Sequence, residues 1–292
     1  MDPLGVGGGV LYGAPMAREP LPATLLRPGD TAQDAYVRLR DLIVDGAYAP
    51  GQRLTHTGLM DTLGVGRTPL RNALGRLEGD GLVVATPNHG VVVAPTPLSS
   101  GEEIYALRFL VEPPLLQAQT GRISDGALAR LQELLERMES CVEDAEAFAE
   151  VHRDFHTVER EAFTNPFIDG LVAAMYRHLH RFQRIHAVRQ RYPRDFLALD
   201  RVTVEALALG DGLAARRALE LHLLDAGIAF LLDVDPTYVP ALLVEVAGAN
   251  GVAIETDGSG AVPRGARVSW STPCRTLPPL RTAYLVHEPE LS

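Results

Sequence analysis

The stretch from 63 to 83, LGVGRTPLRNALGRLEGDGLV, constrains the fold more than any other part of the chain. Gly64 closes a short segment, THTGLMDTLG, and permits a tight turn. Thr68 is a good N-cap and Pro69 a good first helical residue, so a helix is expected to start there. Leu70, Ala73, Leu74 and Leu77 then form its buried stripe. Arg67 falls just before that cap and Arg71 on the outer face of the first turn, where phosphates and guanine edges are met. Two β-prone runs follow, LVVA at 82–85 and VVVA at 91–94, joined by TPNHG as a hairpin with a short polar tip. Upstream, AYVRLRDLIVDG carries Leu39, Leu42 and Ile43 on one face and stops at Gly46, before a Pro-Gly turn in YAPGQRL. Helix, short helix, turn, helix, hairpin is the order of a winged helix-turn-helix, expected over 31–97.

Charge decides how such a unit can bind. The net charge is −10, so contact with nucleic acid has to come from a local patch rather than a polycationic surface. All 27 basic residues are Arg, which reads as a GC-rich genome rather than as function. Residues 31–97 hold six Arg and six acidic residues, so affinity rests on where charge sits and on dimerisation. Cys141 and Cys274, far apart, fit a reducing compartment without a disulfide framework. The start, MDPLGVGGGVLYGAP, lacks a signal peptide's basic and apolar regions. The longest apolar stretch, AGIAFLL at 226–232, is too short for a bilayer, so a soluble cytoplasmic protein with no membrane association is expected.

Residues 1–30, rich in Gly and Pro, read as a disordered arm, and PTPLSSG reads as a linker. The region 101–234 is read as almost entirely helical, with helices near 101–121, 125–142, 145–163, 166–191, 195–209 and 212–232. The remainder, 235–292, has Gly and β-branched residues without helical period; it reads as a loose hairpin or disorder and receives no function. Within the helical region HRDFH sets His152 and His156 one turn apart on one face, a spacing compatible with a metal, with catalysis or with plain solvent exposure. Arg153 stands where a metalloprotease helix needs a Glu base, which argues against hydrolysis.

The segments PGQRL, LGVGRTPLRNALGRLEGDGLV and the NHG tip resemble the winged-helix domain of the GntR family of bacterial transcription regulators. The helical remainder resembles the FCD ligand-binding domain of its FadR-like branch, and the likeness covers about 31–232. It implies a mainly α protein, a winged helix-turn-helix followed by an antiparallel all-α bundle. It also implies DNA contacts at Arg67, Thr68, Arg71, His89 and Gly90. Three departures bear on the operator sequence: Gly66 replaces the usual Ser or Thr, Asn72 a common Glu, and Thr57 a frequent Arg.

Many FCD domains hold a metal through one Asp and three His. Anchored on FH, NP, EALALGD and ALELHL, that pattern implies His152, His156, Asp200 and His222 as the ligands here. Asp200 then falls where His is expected and His152 where Asp is expected, an exchange that keeps the set intact. Imidazoles with a carboxylate suit a divalent Zn, Ni, Mn or Fe ion. Arg108 matches a family Arg paired with Glu112; it serves either as a clamp for a small carboxylate effector or only as an i, i+4 ion pair. One or two of Arg177, His178, His180, Arg181, Arg184 and His186 are expected to turn inward beside the metal.

The resulting expectation is a homodimeric, non-enzymatic transcription regulator, a repressor by the family's commoner mode. It would bind a pseudo-palindromic double-stranded operator and respond to a small organic acid. Its rivals are a metal-dependent hydrolase or lyase with an accessory DNA domain, and a constitutive DNA-binding protein whose bundle only dimerises.

Overall fold

A computed structural model describes residues 31–86, 90–161, 165–188 and 192–288. The chain divides into two compact units between Val93 and Ala94.

In the first unit, Thr31 caps α1 (Ala32–Val44) by accepting from the Asp34 amide. α2 (His56–Leu63) is capped the same way by Thr55 and ends on Gly64, whose φ of 67° is the left-handed turn expected of a glycine there. α3 (Arg67–Gly79) then buries Leu70, Ala73, Leu74 and Leu77, the stripe the spacing predicts. Strands β1 (Arg53–Leu54), β2 (Val83–Thr86) and β3 (Gly90–Val93) form an antiparallel sheet in the order β1-β3-β2. The expected hairpin is present with Val83 opposite Val93, and the expected Pro-Gly turn contributes a third strand. Leu39, Ile43, Leu59, Leu63, Leu77 and Val93 close one small core.

One detail of α3 differs from expectation. The helix starts at Arg67 with Gly66 as N-cap, so Thr68 does not cap it and Arg67 lies inside the first turn. Pro69 is tolerated there because none of the first N–H groups of a helix has an intrahelical partner.

In the second unit six helices follow: α4 (Leu98–Gln119), α5 (Asp125–Ser140), α6 (Ala145–Arg160), α7 (Pro166–Ile185), α8 (Pro193–Ala208) and α9 (Gly212–Val234). α9 is the axis of the bundle. It is buried on nearly every side, as a helix apolar all round has to be. Two glycines let its neighbours close in: a Cβ at Gly101 of α4 would meet the Phe230 ring at 2.8 Å, and one at Gly227 would meet Leu243 at 2.9 Å.

Residues beyond 235 are not a loose tail. α10 (Ala241–Ala249) leads into β4 (Val252–Ile254), β5 (Ala266–Trp270), β6 (Leu280–Arg281) and β7 (Leu285–His287). These form a sheet ordered β4-β5-β7-β6, with β5 and β7 parallel. Leu243, Val252, Val268, Trp270 and Leu285 belong to the same apolar core as α4 and α9. β5 alternates buried and exposed along its length. Its inward face is complete only once a helical face lies beneath it, which local periodicity does not reveal.

Candidate metal centre and DNA-binding face

α6 carries His152 and His156 one turn apart, α8 carries Asp200 and α9 carries His222. Their exposures are 9%, 4%, 2% and 3%, and one ligand atom of each lies within 4.8 Å of all the others. The Asp200 carboxylate does face His152, with Oδ2 3.1 Å from Nε2, and its Oδ1 lies 3.1 Å from Nδ1 of His222. The Nε2 atoms of His152 and His156 are 3.0 Å apart, so at most one carries a proton there. Phe196 stacks on His152 at an interplanar angle of 14°, which fixes that ring.

The donor set fits a cation. Asp200 Oδ2 and His222 Nδ1 are buried without a hydrogen bond of acceptable geometry, despite the short distances to their neighbours. Lone pairs that converge with no proton between them are what a metal ion satisfies. Burial holds His152 below its usual pKa and His156 well below it, which favours the neutral form that coordinates a metal. Burial alone would raise Asp200, but the attraction of His222 and His152 outweighs it and keeps the carboxyl below its ordinary range. A buried carboxylate with a ring nitrogen beside each of its oxygens is a place where a divalent ion adds a compensating positive charge.

Two neighbours were not foreseen. Glu159 Oε2 accepts from Nδ1 of His156 at 3.0 Å, the kind of outer partner that would orient this imidazole if it held a metal. Burial, reinforced by Asp200, pushes Glu159 up to about 8. Its sequence trace is its place one turn beyond His156, which in HRDFHTVER looks like an ordinary charged surface position. Tyr176 of α7 is the other, its ring 5.5 Å from that of His156. The expectation that a basic residue of α7 turns in beside the ligands is not met by Arg181, which is buried but donates to the Ala94 carbonyl.

Arg108 is 3% exposed and bidentate to Glu112, at 2.7 Å and 3.2 Å, with a further bond to the Tyr176 hydroxyl at 2.6 Å. Burial works against its charge, but Glu112 more than offsets this and its pKa is raised. The i, i+4 ion pair is therefore present, and Glu112 occupies both arms of the Arg108 fork.

In the first unit Arg67, Thr68 and Arg71 are all exposed on the opening turn of α3. Among the described residues neither arginine enters an ion pair. Gly66 provides no side-chain cap, so the first amides of α3 stay open to a phosphate. Gly90 opens β3 with φ 80°; His89, the other expected wing contact, lies outside the described residues.

Residues 31–93 match the sequence model of the bacterial regulatory proteins of the gntR family, and residues 103–225 that of the FCD domain. An HTH-type transcriptional regulator in an unstable DNA locus of Streptomyces ambofaciens is 29% identical over 65% of this chain and 81% of its own length. The Escherichia coli HTH-type transcriptional regulator McbR is 32% identical over 45% of this chain and 60% of its own. The solved structure of E. coli McbR superposes with a TM-score of 0.58 at 23% identity, covering 69% of this chain and 97% of that one. A GntR regulator from Rhodococcus superposes with a TM-score of 0.57 at 26% identity, covering 71% and 98%. These matches are to regulators and not to enzymes, and the chain belongs to the GntR family of DNA-binding transcription regulators, with an FCD domain after its helix-turn-helix.

Proposed function

We propose that the protein is a homodimeric, cytoplasmic repressor whose operator affinity is set by a divalent metal and a small organic acid in the FCD bundle. The observation that carries this reading is the convergence of His152, His156, Asp200 and His222 within 4.8 Å in the interior. These four side chains hold the ion, and Glu159 orients His156. The bound metal supplies a Lewis-acidic point of attachment for a carboxylate, and Arg108 meets the other end of the same ligand. No general base of the metalloprotease kind stands beside the first histidine, where Arg153 is found, and this favours sensing over turnover.

Arg67, Thr68, Arg71, His89 and Gly90 make the operator contacts, the arginines reading phosphates and base edges at the opening of α3. Two-fold symmetry makes the operator pseudo-palindromic. Leu107 and Leu110, one turn apart on α4 and 41% and 43% exposed, support pairing of two bundles through this helix.

Metal analysis of purified protein and operator binding with and without chelator test the reading together. Wild type should hold one ion per chain, and chelation should change operator affinity. His222→Ala should lose the ion and the thermal stabilisation that added metal confers. Arg71→Ala should abolish specific operator binding while leaving a folded dimer. A metal-free wild type that melts like His222→Ala would end the metal reading; an Arg71→Ala protein with full operator affinity would end the assignment of α3.

A further inference from the structure

α7 carries a side chain that neither the metal centre nor the DNA face uses. Arg181 is 2% exposed, pairs with no acidic group among the described residues, and leaves its Nε without a hydrogen-bond partner. Its described bond runs from Nη2 to the carbonyl of Ala94. Farther along the same helix, at its C-cap, His186 Nε2 donates to the Thr96 carbonyl at 3.1 Å. The His186 ring is stacked on Phe182 at an interplanar angle of 10°.

Both carbonyls belong to one short segment. Ala94 directly follows Val93, the last residue of β3 and of the first unit, and Thr96 stands two residues before α4. The segment reads Ala94-Pro95-Thr96-Pro97. Two prolines fix φ at alternate positions, so the connection is a semi-rigid tether rather than a slack one. A stiff tether pinned at two carbonyls passes on a displacement that a flexible one would absorb.

Stability does not account for Arg181. A guanidinium taken out of water without a counter-charge is costly, and an apolar side chain of the same length would be cheaper there. Its burial is strong enough to bring its pKa down to about 10. What the residue does provide is a charged donor on a tether carbonyl, stronger than a neutral one.

The other half of the observation lies five residues earlier. Tyr176 accepts from Arg108 Nη2 at 2.6 Å and sets its ring 5.5 Å from that of His156. One rigid helix therefore touches the ligand cluster at Tyr176 and the tether at Arg181 and His186.

We propose that α7 is the relay of this regulator: Arg181 and His186 fasten the 94–97 tether to α7, so that a shift at Tyr176 on a change of occupancy at the centre moves the attachment of the DNA-binding unit. The proposal rests on the reading above, that operator affinity depends on what the centre holds. Coupling of this kind needs an element with contacts to both sites, and α7 has both.

The test uses the full chain and its operator, with saturating Zn²⁺ in one arm and chelator in the other. In wild type the two affinities should differ by about 5- to 150-fold, the usual range of coupling between sites. Arg181→Met should bind metal with wild-type stoichiometry and melt no lower than wild type, yet bring that ratio to within about twofold of one. Arg181→Lys, which keeps a charged donor, should restore part of it. A melting temperature that holds or rises while coupling is lost separates a relay from a merely structural role. Arg181→Met with the wild-type ratio would overturn the relay alone. A wild-type ratio of one would overturn the parent reading and the relay with it. Should Arg181→Met fail to fold, hydrogen exchange of wild type decides: protection of the α7 amides between Tyr176 and Ile185 should change with metal, and identical protection in both arms overturns the proposal.

Discussion

Two buried aspartates near His222 are pushed in opposite directions, and the contrast shows what each is for. Asp200, with imidazoles on both oxygens, is held below the ordinary carboxylate range despite its depth. Asp225 is 0% exposed, and its burial pushes it up to about 6 against the opposing bonds from the Thr282 hydroxyl and the Tyr284 amide. Its folded pKa lies above the 3.8 of the free group, so between about pH 4 and 6 the folded chain binds a proton that the unfolded chain does not. Asp225 therefore adds stability as pH falls through that window and withdraws it as pH rises. The change is about 1.4 kcal/mol for each pH unit separating the folded and unfolded values. Asp225→Asn keeps the acceptor for Thr282 and Tyr284 and removes the titration. Urea unfolding of the two proteins at pH 4.5 and pH 7 should show the variant gaining on wild type by about 2 kcal/mol at the higher pH. Equal pH profiles would mean that Asp225 is solvated. At this scale the convergence of His152, His156, Asp200 and His222 was legible because a family pattern supplied a register for HRDFH, Asp200 and His222. Glu159 and Asp225 were not, because an acidic residue on a helix looks solvated until its depth is known.

At the scale of elements the helical order was readable and the caps were less so. α5, α6 and α8 begin within two residues of where their periodicity places them, after Ser124, Asp144 and Tyr192. The start of α3 departs from expectation because Thr-Pro is a strong opening signal, whereas a glycine N-cap leaves no side-chain trace. That glycine also makes a prediction. Gly66 has φ −77° and ψ 173°, a conformation any residue adopts, and a Cβ added there would meet only Pro69 Cδ at 3.9 Å. Gly66→Ser should then add a cap bond from the Thr68 amide, Pro69 having none to offer, and stabilise the first unit by a few tenths of a kcal/mol. For a domain of this size that is a rise of about 1–3 °C in the melting of residues 31–93. The same hydroxyl occupies a backbone amide that is now open, so its effect on operator affinity at several salt concentrations reports whether that amide meets a phosphate. A lower melting temperature would show that α3 does not start at Arg67.

Over the whole molecule, the segment after Asp235 is where reading by composition failed most. Strands of two to five residues, separated by Gly and Pro, carry too little period to be seen one at a time. Their pairing is also non-local, since β5 lies beside β7 rather than β6. The FCD match ends at residue 225, ahead of α10 and the sheet, so the family likeness gives no reason to expect them in the core. Yet their apolar side chains belong to the same core as α4 and α9. Glu220 of α9 accepts from the Trp270 indole at 2.7 Å, Asp225 is held by Thr282, and Glu102 of α4 accepts from Tyr238 and the Leu243 amide. Each fully buried large apolar side chain contributes about 1.5–3 kcal/mol, and Leu243, Val252, Trp270, Leu277 and Leu285 together approach the whole stability of an ordinary domain. A chain ending at Asp235 would also uncover the faces of α4 and α9 on which these residues lie. Its first unit should melt as in wild type, while the second should bind a hydrophobic dye, aggregate on heating and lose metal-dependent stabilisation. Trp270→Ala, a smaller injury, should cost about 3–5 kcal/mol. If the shortened chain instead melts at the wild-type temperature with both transitions intact, the bundle is self-sufficient and the sheet is an appendage. The buried bonds from Trp270 and Thr282, on either side of His222, argue for the first outcome.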